Sequence, residues 1–202
     1  IAVVVYFKKD IFNFIKNKEF LFKILISSIP VLLIGFFLVE TNLIEKIRNI
    51  KIIAWTTLLF GILLFFSDKF KLEKSIDNNF NYKSAIFIGF FQVLSLIPGV
   101  SRSGIAITAA RFLNYKRVDS AKISFLLSIP TLGAVSIFGL KNIISEENLN
   151  FSIFNLLLIF MSFIFSLITI KYFLKYIKKF SLNVFVVYRI FLGLILLGIL
   201  YL

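Results

Sequence analysis

Cysteine and histidine are both absent from this 202-residue chain. The first absence excludes disulfides, thiolate metal sites and cysteine nucleophiles together. The second removes the commonest proton shuttle and any phosphohistidine route. Acidic residues are scarce, ten against 23 lysines and arginines, for a net charge of +13. Asp10, Glu19, Glu40, Glu45, Asp68, Glu73, Asp77, Asp119, Glu146 and Glu147 all fall in polar connectors or at the ends of apolar runs. Phosphoryl hydrolysis normally uses a metal or a carboxylate to manage developing charge and position water. No residue of this chain is expected to supply a metal ligand or general base at membrane depth.

What the chain has in excess is apolar surface: 59% hydrophobic and 17% aromatic residues, with a mean hydropathy of +0.97. That composition excludes an ordinary soluble domain and predicts an all-α integral membrane protein. The positive charge sits mainly in short connectors between apolar runs, as cytoplasmic loops require. No basic stripe lies on a soluble face, so nucleic acid is not an expected partner. Apolar runs at Phe20–Val39, Ile52–Ser67, Ile123–Leu140, Phe151–Ile170 and Val184–Leu202 read as spans, most of them near the roughly 20 residues that cross a bilayer. Arg189 lies inside the last run, a turn or two from its start, and reads as a snorkelling side chain in preference to one facing the bundle. Ile1–Phe7 is an apolar scrap followed by Lys8-Lys9-Asp10, the reverse of a signal peptide's order. It reads as the tail of a transmembrane helix, so an N-terminally incomplete chain is expected. Ser28-Ile29-Pro30 recurs as Ser128-Ile129-Pro130, too short a match to argue for a repeat.

Two apolar stretches are too short to span. Ser84–Ile97 reaches only about 21 Å as a helix against a hydrocarbon core of roughly 30 Å, and Gly104–Leu113 is shorter still. Charge counting predicts their topology. Lys171–Lys179 carries four lysines and no acid and is placed on the cytoplasmic side; Lys141–Asn150, with Glu146 and Glu147, then falls outside, and Arg111–Lys122 inside. From the other end, Lys8–Lys18 is inside, residues 40–51 outside and Asp68–Lys83 inside again. Both flanks of the short pair thus share one side, and the pair is expected to be re-entrant.

Between the two halves lies Pro98-Gly99-Val100-Ser101-Arg102-Ser103-Gly104. Irregular polar backbone at membrane depth persists only where protein buries it or a wet cavity lines it. An arginine there costs roughly 2.5–3.5 kcal/mol on insertion scales, which marks Arg102 as functional. With a helix starting near Gly104, unpaired N–H groups and a partial positive charge would meet a guanidinium and the hydroxyls of Ser101 and Ser103. Such a set holds phosphate. Gly99 and Gly104 allow close approach of backbone to the anion, and Pro98 ends the incoming half-helix. Gln92 in the entering half and Thr108 in the leaving half are further candidates for substrate contact. A hydroxyl bonded back to its own helix is an equal reading for Thr108. Arg111, Lys116 and Arg117 read as membrane-interface anchors. Arg102 has no acid near it in sequence between Asp77 and Asp119.

The stretch from Gly89 to Ala134, with PGVSRSG at its centre and the downstream segments RFL and SFLLSIP, resembles the undecaprenyl-pyrophosphate phosphatase family, the bacitracin-resistance phosphatases. IAVVVYFKKD at residues 1–10 is similar to that family's third helix, so the resemblance covers the whole chain. It implies two inverted repeats, each with a re-entrant pair, in one membrane domain: residues 1–67 the remainder of the first repeat, and 84–202 the second, with its re-entrant loop at 84–113. It implies hydrolysis of undecaprenyl pyrophosphate to the monophosphate, recycling the lipid carrier of peptidoglycan synthesis in the bacterial inner membrane. Arg102, Ser101 and Ser103 would be catalytic, and Gly99, Gly104, Thr108 and Gln92 would bind substrate. A divalent metal, Mg²⁺ or Ca²⁺, is implied as cofactor. Its ligands are expected in a glutamate-rich motif that this chain does not contain. The family's usual threonine two residues after the signature glycine is Ala106 here. Expected partners are undecaprenyl pyrophosphate and the lipid bilayer, with a second copy of the chain as a further candidate. A lipid-phosphate or anion translocator using the same clamp without hydrolysis is the rival reading.

Overall fold

In the computed structural model, which describes every residue except 17, 42, 146–152 and 202, helices follow one another with short connections. They are α1 (Ala2–Tyr6), α2 (Lys8–Lys16), α3 (Lys18–Glu40), α4 (Leu43–Ile47), α5 (Ile50–Asp68) and α6 (Ile76–Asn79). Next come α7 (Tyr82–Val93) with a 3-10 turn at Leu94–Leu96, α8 (Arg102–Phe112), α9 (Arg117–Ser145), α10 (Ile153–Lys179) and α11 (Asn183–Tyr201). An isolated bridge between Lys74 and Tyr115 is the extended pairing among the described residues. Five helices, α3, α5, α9, α10 and α11, are long and apolar enough to cross a membrane. The chain is a polytopic α-helical membrane protein.

The expected spans are all present, with different ends. α9 begins at Arg117, six residues before the apolar run, and α10 runs on through Lys171–Lys179, which the charge count treats as a loop. A helix satisfies its own backbone wherever it goes, so loss of apolarity alone does not end it. Lys141–Ser145 continue α9, whereas Glu146 and Glu147 lie outside the described residues.

Small residues set the helix contacts. Without a hydrophobic drive between helices in lipid, close packing needs side chains that let backbones approach. Ala85 and Gly89 place α7 on Ser27 and Ser28 of α3, all four buried; a Cβ on Gly89 would overlap the Ser27 backbone. Lys23 lies over the Tyr82 ring and Leu96 against Gly35, so the two helices run parallel. α5 buries Ala54, Thr57, Gly61, Leu64 and Asp68, alternating three and four residues apart on one face. Gly61 meets Arg189 and Gly193 meets Leu58, so α11 packs antiparallel to α5.

α7 and α8 form a hairpin. The Tyr115 hydroxyl, just past α8, donates to the Asn79 carbonyl at 2.8 Å and lies 3.1 Å from Ser84 Oγ at the start of α7. Burial pushes the Tyr115 phenol above its ordinary value, so it stays a neutral donor at neutral pH. The connectors on either side of the pair also meet: Asn114 O accepts from Glu73 and Lys74, and Lys116 N donates to Lys74 O. Lys122 pairs with Asp10 at 2.7 Å, bringing α2 to the same end. Three segments that charge counting assigns to one side thus gather at one end of the bundle.

Candidate active site

The hairpin tip is fixed by α5. Thr56 Oγ1 donates to Pro98 O at 2.6 Å and Thr57 Oγ1 to Gly99 O at 3.4 Å. Thr56 lies about twelve residues, or 18 Å, along α5 from Asp68, so the tip sits well inside the length of a span. Gly99 has φ +87°, and a Cβ there would overlap Thr56 Oγ1 and come within 2.7 Å of the Ile53 carbonyl. Both the left-handed backbone and the close approach require glycine.

α8 starts two residues earlier than its apolar run. Ser101 is the N-cap, its Oγ accepting from Gly104 N at 3.1 Å. Ser103 Oγ lies 3.3 Å from Ser101 Oγ. Arg102 is therefore the first helical residue and not part of a preceding loop. Its side chain leaves toward α9, where Nη1 donates to Thr131 Oγ1 at 3.1 Å. Ser124 Oγ, also on α9, donates to Ser103 O at 3.3 Å.

The second cation comes from α11. Arg189 is only 9% exposed. It does not snorkel: Nη2 donates to Gly99 O at 3.0 Å, and Nε is buried without a hydrogen-bond partner among the described residues. With Ser101, Ser103 and Gly104 it lines a cavity of about 220 Å³ whose other walls include Ile107, Phe173 and Phe185. A second guanidinium thus stands beside the α8 N-terminus. The signal for it was in the sequence: Val186, Arg189 and Gly193 share one helix face, and all three are buried.

Four predicted site residues, Arg102, Gly99, Thr108 and Gln92, are not among those lining this cavity. Thr108 is buried and its hydroxyl bonds back to Gly104 O at 2.8 Å. Gln92 is buried on α7 with its Oε1 unpartnered, and neither it nor Thr108 is among the residues lining the cavity.

Arg111 and Arg117 are not interface anchors. Arg111 is fully buried and donates to the carbonyls of Asp68, Phe70, Lys71 and Tyr115. Arg117 grips the Asp68 carboxylate with two bonds, 2.7 and 3.0 Å, and Leu182 N donates to the same carboxylate at 3.1 Å. This clasp ties the ends of α5 and α8 to the starts of α9 and α11. A larger cavity, about 630 Å³, opens beside it and shares no lining residue with the α8 N-terminus.

The donors described around the α8 N-terminus are hydroxyls and guanidiniums. A hard divalent cation needs carboxylate or carbonyl oxygen, and two guanidiniums repel it. Among the described residues no three acids converge, and the buried Asp68 is held by two arginines. These residues do not fit a Mg²⁺ or Ca²⁺ site.

Five membrane-length helices around the α8 N-terminus, with one arginine beside it and another lining its cavity, define an integral membrane protein. The chain belongs to the family described as bacitracin resistance protein BacA, whose sequence pattern matches residues 1–195. It is 48% identical over 203 residues to an undecaprenyl-diphosphatase of Pelagibacter ubique, covering all of this chain and 78% of the relative. Undecaprenyl-diphosphatases of Elusimicrobium minutum and Jannaschia sp. are 37% and 36% identical, over 97% and 89% of this chain and 77% and 67% of their own.

Proposed function

We propose that this protein hydrolyses undecaprenyl pyrophosphate to undecaprenyl phosphate and inorganic phosphate. The observation that carries the reading is Arg189, a buried guanidinium lining the cavity where α8 presents Ser101, Ser103 and its free N–H groups. The relatives bear a hydrolase's name, which favours hydrolysis over the translocator reading.

The reaction places negative charge on the equatorial and bridging oxygens of the pyrophosphate. Catalysis is then chiefly positioning and electrostatic stabilisation. Arg189 and the α8 N–H groups hold those oxygens from the cavity side, and Arg102 reaches them from the α9 side. Water attacks the terminal phosphorus, the bond to the bridging oxygen breaks, and the lipid monophosphate departs with that oxygen. Water's oxygen stays on the released phosphate, and its protons go to the products or to solvent. Ser101 and Ser103 contribute hydroxyl donors.

Several parts of the reading go with this proposal. The α7–α8 hairpin enters and leaves the bacterial inner membrane by its cytoplasmic face, where the connectors of positive charge gather. The isoprenoid tail lies in the bilayer beside the cavity, which at about 220 Å³ is below the roughly 300–1,000 Å³ of pockets for drug-sized ligands. Mg²⁺ or Ca²⁺ dependence would need carboxylates other than those described around this site. Purified protein supplied with undecaprenyl pyrophosphate and either cation should release inorganic phosphate in one-to-one yield with undecaprenyl phosphate. Substrate that is bound, or moved across a vesicle membrane, with no phosphate released would refute hydrolysis.

A further inference from the structure

We propose that Thr131 is a positioning residue for Arg102: its hydroxyl holds the guanidinium toward the substrate phosphate through a neutral acceptor that leaves the full positive charge available. The inference rests on the reading of Arg102 as a pyrophosphate ligand.

Arg102 heads α8 at the level of the hairpin tip, half-buried, where a carboxylate partner would be the usual way to hold a guanidinium. Four acids are ion-paired elsewhere: Asp68 with Arg111 and Arg117, Asp10 with Lys122, Glu19 with Lys23, and Glu73 with Lys71. Arg102 instead donates to Thr131 Oγ1 at 3.1 Å. A hydroxyl has one hydrogen and two lone pairs. Thr131 commits its hydrogen to Leu127 O, 2.9 Å away in the preceding turn. Its remaining capacity is therefore that of an acceptor, and its direction is set by the helix. Thr131 is buried and β-branched, so its χ1 has few alternatives.

The same face of α9 fixes the backbone that carries Arg102. Ser124, two turns before Thr131, donates to Ser103 O at 3.3 Å. The first turn of α8 is thereby anchored through its main chain and through its arginine. A carboxylate at position 131 would hold Arg102 more strongly but would compete with phosphate for the same fork and cancel its charge. A hydroxyl occupies one N–H and leaves the bidentate donors that match a phosphate.

The test is a double-mutant cycle on reconstituted protein, read both as kcat/KM for phosphate release and as affinity for a non-hydrolysable methylene-bridged analogue of the lipid pyrophosphate. Thr131→Val keeps the side-chain shape and removes the hydroxyl. It should lower kcat/KM about tenfold, or by roughly 1.4 kcal/mol of transition-state stabilisation, and weaken the analogue. Thr131→Ser should restore both to within about twofold, a factor well below one decade. In an Arg102→Ala background, Thr131→Val should cost nothing further. If Thr131→Val folds poorly, Thr131→Ala serves in its place. An undiminished wild-type background, or an equal loss with and without Arg102, overturns the inference, since a purely structural threonine would act in both backgrounds alike. Absence of phosphate release from the wild type strikes the hydrolase reading alone. The coupling in analogue affinity still supports the inference when it depends on Arg102 and overturns it when it does not.

Discussion

Arg189→Ala should lower phosphate release from undecaprenyl pyrophosphate about 100-fold while the protein stays folded. The removal of one preorganised donor to a developing oxyanion costs about 10²–10³ in turnover. Arg189 is a strong donor of this kind because it is nine-tenths buried and its Nε has no hydrogen-bond partner among the described residues. The bond from Nη2 to Gly99 O offsets part of its desolvation, and a bound anion would offset more. Arg189→Lys should recover a minor part of the loss, since an ammonium supplies a point charge without the fork. The tip itself should survive, because Thr56 and Thr57 still hold the Pro98 and Gly99 carbonyls. Turnover, KM and melting temperature measured side by side check this. A fall in turnover with little change in melting temperature is the expected pattern, and a variant with wild-type turnover would remove Arg189 from the site.

Arg111→Met is expected to have the largest effect on stability. Asp68 would keep Arg117 and Leu182 N, but each buried acceptor left without its donor costs about 1–3 kcal/mol. Arg111 is fully buried, pairs with Asp68 at 3.5 Å, and also satisfies carbonyls from the α5 end and from Tyr115. Those acceptors, Asp68 O and Tyr115 O foremost, would lose their donor where α5 and α8 meet. Thermal unfolding in detergent should show a large drop in melting temperature. Asp68→Asn in the same protein should cost less than it does alone, because the two changes share one network. Equal, additive losses would mean that Asp68 and Arg111 act independently.

The spans, the short apolar pair and the polar turn at its tip were legible in the sequence because each rests on local pattern. Apolar length marks a span, and an arginine with two serines and two glycines marks an anion loop. Even there, the local reading placed the α8 start two residues late, since Arg102 and Ser103 are polar but already helical. What the sequence hid was long-range pairing. Asp68 meets Arg111 and Arg117 from 43 and 49 residues away, and nothing in their local surroundings distinguishes them from interface anchors. Arg189 was misread because distance from a span's end says how deep a residue lies, not which way it faces. The glycine one turn on, Gly193, was the better guide, since small residues in a membrane helix mark the packed face. Thr131 was likewise hidden among apolar neighbours, and only the fold sets it against Arg102.

The most direct test of the α8 N-terminus as the pyrophosphate clamp is phosphate release by Arg102→Ala. It should be measured on protein that melts at the wild-type temperature, with undecaprenyl pyrophosphate as substrate. A fall of at least about tenfold is predicted, within the range for a lost transition-state donor. Near-normal turnover would contradict the assignment and place the clamp elsewhere in the molecule.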